Sequence, residues 1–454
     1  MDKKVYELIE GYRDEFIQTL KGWIQIPSVK GEAEEGAPFG RAVREMLDRA
    51  MKDAAEMGFP ARDFDGYACD ITLGEAEEKI AVLGHLDVVP AGDGWTHPAF
   101  GAEMEGGRMF GRGTNDDKGP SLAALFAMRA IREAGIPLKK SIRLILGCDE
   151  ESGWEDMEYY CAHTEMPEVG FSPDAEFPVI NTEKGMIHLC FFAPESKTGL
   201  KVLEMATGER MNVIPGESTA LLEGGADLAE KALAWGEKTG FPVRATVEDG
   251  GVRVAVTGIP GHSANPAGCR NAIGMMLLLL KDLGADGPIR TLAENIGMAH
   301  DGQGLGCACR DELSGELTCN LGILHLKDGQ WFGTLDFRCP VAADLEALRD
   351  SAVAHLPGFR VEAAGIKPPH HVPADSTLVK ALLAAYEEET GLPGKAIAIG
   401  GGTYAKVLKQ GVAFGALFPG EEELAHQANE FEDIDSLMKA AKIFANALIR
   451  LAAE

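Results

Sequence analysis

Seven side chains of this 454-residue sequence are of the types that do metal chemistry: His85, Asp87, Asp116, Glu150, Glu151, Asp174 and His426. They sit in the short polar segments GHLDVVP, NDDKGP, CDEES, SPDAEF and LAHQANE. Two imidazoles with several carboxylates are the donor set that a pair of hard-to-borderline divalent cations requires. One carboxylate can bridge both ions, and each ion then takes one histidine and one further carboxylate. Five ligands on two ions leave positions open for water and substrate.

The adjacent pair Glu150–Glu151 narrows the chemistry. Two successive glutamates at the end of a buried strand lose hydration and repel one another unless a cation compensates them. With Glu151 as a ligand, Glu150 is left as general base for an activated water. Asp87, two residues past His85, can accept the second imidazole N–H and fix its tautomer. Taken singly, each residue has a plainer reading, such as a structural histidine, a solvated Glu–Glu edge, or acids suiting a helix N-terminus in DDKG. Their joint placement at strand ends is what argues for a site.

An α/β frame must position them. KIAVLGHLDVVP at 79–90 predicts a buried strand that delivers His85 and Asp87 from its C-terminal end. A helix at 116–135 precedes the strand SIRLILG at 141–147, which ends in Cys-Asp-Glu-Glu, and 169–180 is another strand with a polar tip. One helix spans Val5 to Trp23, another 38–57, and a last one closes the chain at 434–452. Alternating strands and helices predict an α/β domain with a mainly parallel sheet, whose ligand crevice lies at the strand C-termini. The middle reads differently, with the strand-like runs MIHLCFFA, VRVAVTGI, ELTCNLGILHL and QWFGTLDFRCPV between helices near 226–238, 270–283 and 342–355. The expected division is a discontinuous catalytic domain, 1–184 with 372–454, and an inserted α+β domain, 185–371.

Composition excludes several classes. The net charge of −28 leaves no excess of Lys and Arg for phosphates or an anionic membrane. No run approaches the ~20 apolar residues of a membrane span, and the first residues lack an apolar targeting core. Nine scattered cysteines fit reduced thiols in a cytoplasm, and the pair Cys307-x-Cys309 reads as structural thiols. The run Gly400-Gly401-Gly402 lacks the context of a nucleotide fingerprint; it fits a close approach of substrate to the backbone near Gly402 and Thr403.

GHLDVVPAGDGW, FGRGTNDDKGP, DEESG, GFSPDAEFPVINTEKG, IGGGTYAK and FPGEEELAHQANE together resemble the motifs of the zinc-dependent exopeptidases. That family includes PepV-type dipeptidases, carnosinases, and the acetylornithine and succinyl-diaminopimelate deacylases. The resemblance spans the chain and is closest to the PepV type. It implies two Zn2+, with Mn2+ or Co2+ as substitutes, bridged by Asp116. His85 and Asp174 would complete one site, and Glu151 and His426 the other. Glu150 would be the general base and Asp87 the orienting residue, with a cis peptide between Asp116 and Asp117. The insert would be a lid, which dimerises in most relatives but is enlarged in the PepV type; 185–371 is long enough for the enlarged form, which implies a monomer, with a homodimer as the alternative. His262 in PGHSANPAGCRNAI would face the substrate and stabilise an oxyanion. Asn212 and Arg338 would grip substrate, with Arg338 taking its carboxylate. The Ala-Gly-Cys-Arg after Pro266 departs from the acidic version common in relatives. Asp rather than Glu at 174 favours dipeptide hydrolysis over N-acyl amino acid deacylation.

Overall fold

The computed structural model describes residues 2–453. The chain divides into two units. One runs to Asn181 and takes up Val372–Ile397 and Gly402 onward, and the other comprises Thr182–His371 and Ala398–Gly401. The change of unit falls three residues before the expected 184/185 junction. Ala398–Gly401, expected in the first domain, belongs to the second because Lys184 N–H bonds to the Ile399 carbonyl and Arg338 Nη1 to that of Gly400.

The first unit is built on strands β1 (Ala61–Phe64), β2 (Ala68–Leu73), β3 (Lys79–His85), β4 (Ser141–Gly147), β5 (Val169–Ser172), β6 (Val179–Glu183) and β7 (Gln410–Ala413). Their order is β1-β2-β4-β3-β5-β7-β6. The four central strands β4, β3, β5 and β7 are parallel, and antiparallel partners flank them on both sides. Every residue of β3 after Lys79 is buried. Alternate side chains point to opposite faces: Ile80 and Val82 join one apolar cluster, Ala81 and Leu83 another.

Helices α1 (Lys118–Ala134) and α2 (Ile434–Ala452) pack on each other and on β3 and β4. Leu122, Leu125 and Phe126 meet the same core as Leu437, Phe444 and Leu448. Each such side chain contributes roughly 1.5–3 kcal/mol on burial. Because the central strands share a direction, His85 pairs beside Gly147 and Ser172 beside Ala413, so the segments that follow leave from one edge. The expected single helix from Val5 to Trp23 is two, Lys3–Gly11 and Arg13–Ile24. The expected strand over 169–180 is likewise two, β5 and β6, with Pro173 and the Phe177–Pro178 cis peptide between them.

The second unit is an antiparallel eight-stranded sheet in the order Val243–Glu248, Gly251–Thr257, Glu217–Leu222, Val202–Thr207, Thr318–Lys327, Gln330–Cys339, Gly185–Pro194, Arg360–Lys367. Val252, Val254 and Val256 alternate inward and share a core with Met275, Met276, Leu279 and Leu280 of the helix Ala272–Asp282. This is an α+β unit with its own core. No helix among the described residues is long and apolar enough to cross a membrane.

Candidate metal centre

His85 closes β3 with 1% of its surface exposed. Its Nε2 lies 2.9 Å from Asp116 Oδ1 and 3.7 Å from Asp174 Oδ2. The other oxygen of Asp116 lies 2.9 Å from His426 Nε2, which is also 2.9 Å from Glu151 Oε2. Asp116 thus stands between two imidazoles, each with a second carboxylate. In the trios His85–Asp116–Asp174 and Asp116–Glu151–His426 the ligand atoms lie within 4.8 Å of one another. Nitrogen and oxygen donors converging in this way fit two divalent ions sharing one carboxylate. No such group among the described residues contains a cysteine.

Local structure explains the convergence. Asp174 follows β5 by two residues, and Glu150 and Glu151 follow β4 within four. Asp116 precedes α1, and its peptide bond to Asp117 is cis, as the resemblance implies. Asp117 Oδ2 accepts the His85 N–H at 3.1 Å and the Ser121 hydroxyl at 2.8 Å, tying the end of β3 to the first turn of α1. Gly84 is required there, since a Cβ would fall 1.9 Å from Ser121 Oγ. His426 sits in left-handed backbone at φ 64°, and Asn429 at φ 61°. Such a conformation costs a non-glycine residue of order 1–3 kcal/mol.

Asp87 acts differently from the expectation. His85 Nδ1 hydrogen-bonds the Asp87 backbone carbonyl at 2.9 Å, while the nearest carboxylate oxygen is 3.5 Å away. The carboxylate is turned to the next loop, where Oδ1 accepts the Glu150 N–H at 3.2 Å and Oδ2 the Glu151 N–H at 3.1 Å. Asp87 therefore fixes the imidazole with its main chain and the glutamate pair with its side chain.

Charge is crowded. Burial raises Glu150 well above the usual carboxylate range, and Asp174 and Glu151 add to the rise against the pull of His85. Burial, with Asp116 nearby, does the same to Asp174. Burial opposes a charge on His85 and His426, but hydrogen bonds to Asp116 and its neighbours outweigh it, holding His85 well above its ordinary value and His426 at about 11. Divalent cations would compensate the crowded carboxylates.

Besides Asp117, two buried carboxylates beyond the expected set hold these loops. Asp156 Oδ2 accepts the N–H groups of Cys148 at 2.6 Å and Asp149 at 2.9 Å, and also the Tyr404 hydroxyl. Glu430 accepts the N–H groups of Gly113, Asn115 and Asp116. In sequence Asp156 looks like an ordinary first-turn acid. Glu430 carries a weak signal, an acid four residues beyond His426.

The remaining expected residues divide between the units. In the first, Thr403 is buried and its hydroxyl caps the short helix Tyr404–Val407 through the Ala405 N–H, with Gly402 beside it. In the second, Val213 pairs with His262, and Asn212 O accepts the Ser263 N–H at 2.9 Å, so Asn212 and His262 are neighbours. His262 Nδ1 accepts the Ala264 N–H at 3.2 Å, which assigns the proton of the neutral ring to Nε2. Arg338 departs from the expectation of a carboxylate clamp. It is 5% exposed, with Nε and Nη2 on Asp336 Oδ2 at 3.1 and 2.9 Å and Nη1 on the Gly400 carbonyl at 2.9 Å. Gly400 itself approaches closely, since a Cβ there would lie 2.7 Å from that of Ala264.

Residues 81–450 match the family described as Peptidase family M20/M25/M40. The chain is 36% identical to "Putative dipeptidase YtjP" of Bacillus subtilis strain 168, over 97% of this chain and 98% of the relative. It is 33% identical to "Putative dipeptidase SSP1012" of Staphylococcus saprophyticus, over 98% of this chain and 99% of the relative. Human carnosine dipeptidase 1 shares the fold at TM-score 0.61 and 16% identity, covering 99% of this chain and 98% of that one. The dipeptidase Dug1p of Saccharomyces cerevisiae does so at 0.62 and 15%, covering 98% of each.

Proposed function

Because the chain belongs to peptidase family M20/M25/M40, we propose that its paired donor set holds two zinc ions, replaceable by manganese or cobalt, and hydrolyses dipeptides. The observation that carries this reading is Asp116 placed between the imidazoles of His85 and His426, each flanked by a further carboxylate. The names of the full-length relatives support dipeptides as substrates.

Bound cations would acidify a water and polarise the scissile carbonyl. Glu150, left out of both ligand trios, takes the proton of the attacking water and returns it to the leaving amine. The Asp87 carboxylate keeps Glu150 and Glu151 in place through their N–H groups. His262 donates Nε2–H to the developing oxyanion, and its neighbour Asn212 contacts the substrate. Arg338 acts at one remove, by holding the Gly400 carbonyl beside Gly402 and Thr403, where the substrate backbone passes. The working form in this reading is a monomer in the cytoplasm, taking small peptides and neither nucleic acid nor membrane.

The test is a substrate panel on purified protein with Zn2+, Mn2+ or Co2+ added back after chelation. Turnover of α- or β-alanyl dipeptides in preference to N-acyl amino acids is the expected result. A preference for acetylornithine or succinyl-diaminopimelate would replace the reading by a deacylase.

A further inference from the structure

Glu430 is fully buried four residues past His426. Its Oε1 accepts three backbone N–H groups of one loop, from Gly113 at 2.9 Å, Asn115 at 3.0 Å and Asp116 at 3.3 Å. Its Oε2 accepts Arg112 Nη1 at 2.5 Å, and its own carbonyl accepts the Gly111 N–H at 2.8 Å. The preceding residue, Asn429, accepts the N–H groups of Thr96 at 2.8 Å and His97 at 3.2 Å. The loop so gathered is irregular backbone, and it presents Asp116. A carboxylate ringed by N–H donors and a guanidinium makes strong, directional bonds. The Glu430 side chain thus ties the segment carrying His426 to the backbone N–H of the shared ligand Asp116 itself, more than three hundred residues away in sequence, beside the bond from Asn115 Nδ2 to Glu432 and the pairing of Phe431–Asp433 with Arg108–Phe110.

We infer that Glu430 is the positioning residue that sets Asp116 against His426 and so fixes the spacing of the two cations. The inference rests on the dinuclear reading above. Glutamine cannot replace it, because one amide oxygen cannot serve both the loop and Arg112, and its NH2 group would face a donor. Glu430 touches neither substrate nor the reacting atoms, so its effect must pass through metal geometry.

The test uses the full chain, stripped with a chelator and titrated with Zn2+. Glu430→Gln strands the Arg112 charge in the interior, so Arg112→Met/Glu430→Gln, which removes both charges, is made beside it. The metal-free double variant is expected to fold and to bind its weaker ion about 10–100-fold less tightly than wild type, the range usual for lost support of metal ligands. kcat falls in parallel while KM moves less than about threefold. Wild-type zinc affinity and kcat in either folded variant would overturn the inference. Failure of both variants to fold without metal would also overturn it, since Glu430 would then serve the fold at large. A wild type that binds fewer than two zinc ions removes the dinuclear reading itself, and this inference with it.

Discussion

Asp87 accepts the backbone N–H of Glu151 at 3.1 Å and so holds a glutamate of the Asp116–Glu151–His426 group through its main chain. The other carboxylate oxygen does the same for Glu150, and the Asp87 carbonyl orients His85. Asp87→Asn keeps the carbonyl but turns an NH2 group toward one of those two N–H donors. The expected result is a kcat about 10–100-fold lower with both metals retained. Steady-state kinetics with metal analysis decides it, and an unchanged kcat would relegate the carboxylate to packing.

Glu150→Gln removes the proposed proton carrier and leaves both ligand trios intact. Turnover should fall about 10²–10⁴-fold, the usual worth of general acid–base catalysis. Two metal equivalents should remain by elemental analysis. Near-normal turnover would take Glu150 out of the mechanism.

Metal loading should release protons. His85 is held well above its ordinary value and His426 at about 11, so both rings are charged near neutral pH in the metal-free protein. Ligation requires neutral rings, and the raised Asp174 adds in the same direction. About two protons or more should leave, and metal affinity should fall as pH is lowered. Titration calorimetry in buffers of different ionisation enthalpy counts them; a count of zero contradicts the imidazolium pair.

Arg338 is a matter of stability before binding. Breaking its buried pair with Asp336 by Arg338→Ala should cost about 3–5 kcal/mol, visible in urea unfolding. A variant of wild-type stability with a raised KM would instead restore a direct grip on the substrate carboxylate.

Much of the frame was legible because apolar periodicity reports burial. SIRLILG and the closing helix 434–452 fall where the pattern puts them. The site followed because a parallel sheet gathers its strand ends, so polar tips at His85, Glu150 and Asp174 had to meet. The lost detail concerns directions that spacing cannot encode. Asp87 near His85 suggested a side-chain bond, yet the main chain makes it. Arg338 reads in the sequence as a grip for the substrate carboxylate; alternation puts Asp336 on the same face of its strand but does not say that the two side chains bond to each other. Glu430 and Asp156 bond to backbone N–H groups, and main-chain donors leave no trace in residue identity.

The chain leaves the first unit after Asn181 and returns at Val372, and these two residues are hydrogen-bonded neighbours. Thr182 and His371, the first and last residues of the insert, are paired as well. An excursion of this length thus begins and ends at almost the same point in space. A segment whose two ends meet can change in length without any demand that its points of attachment move apart.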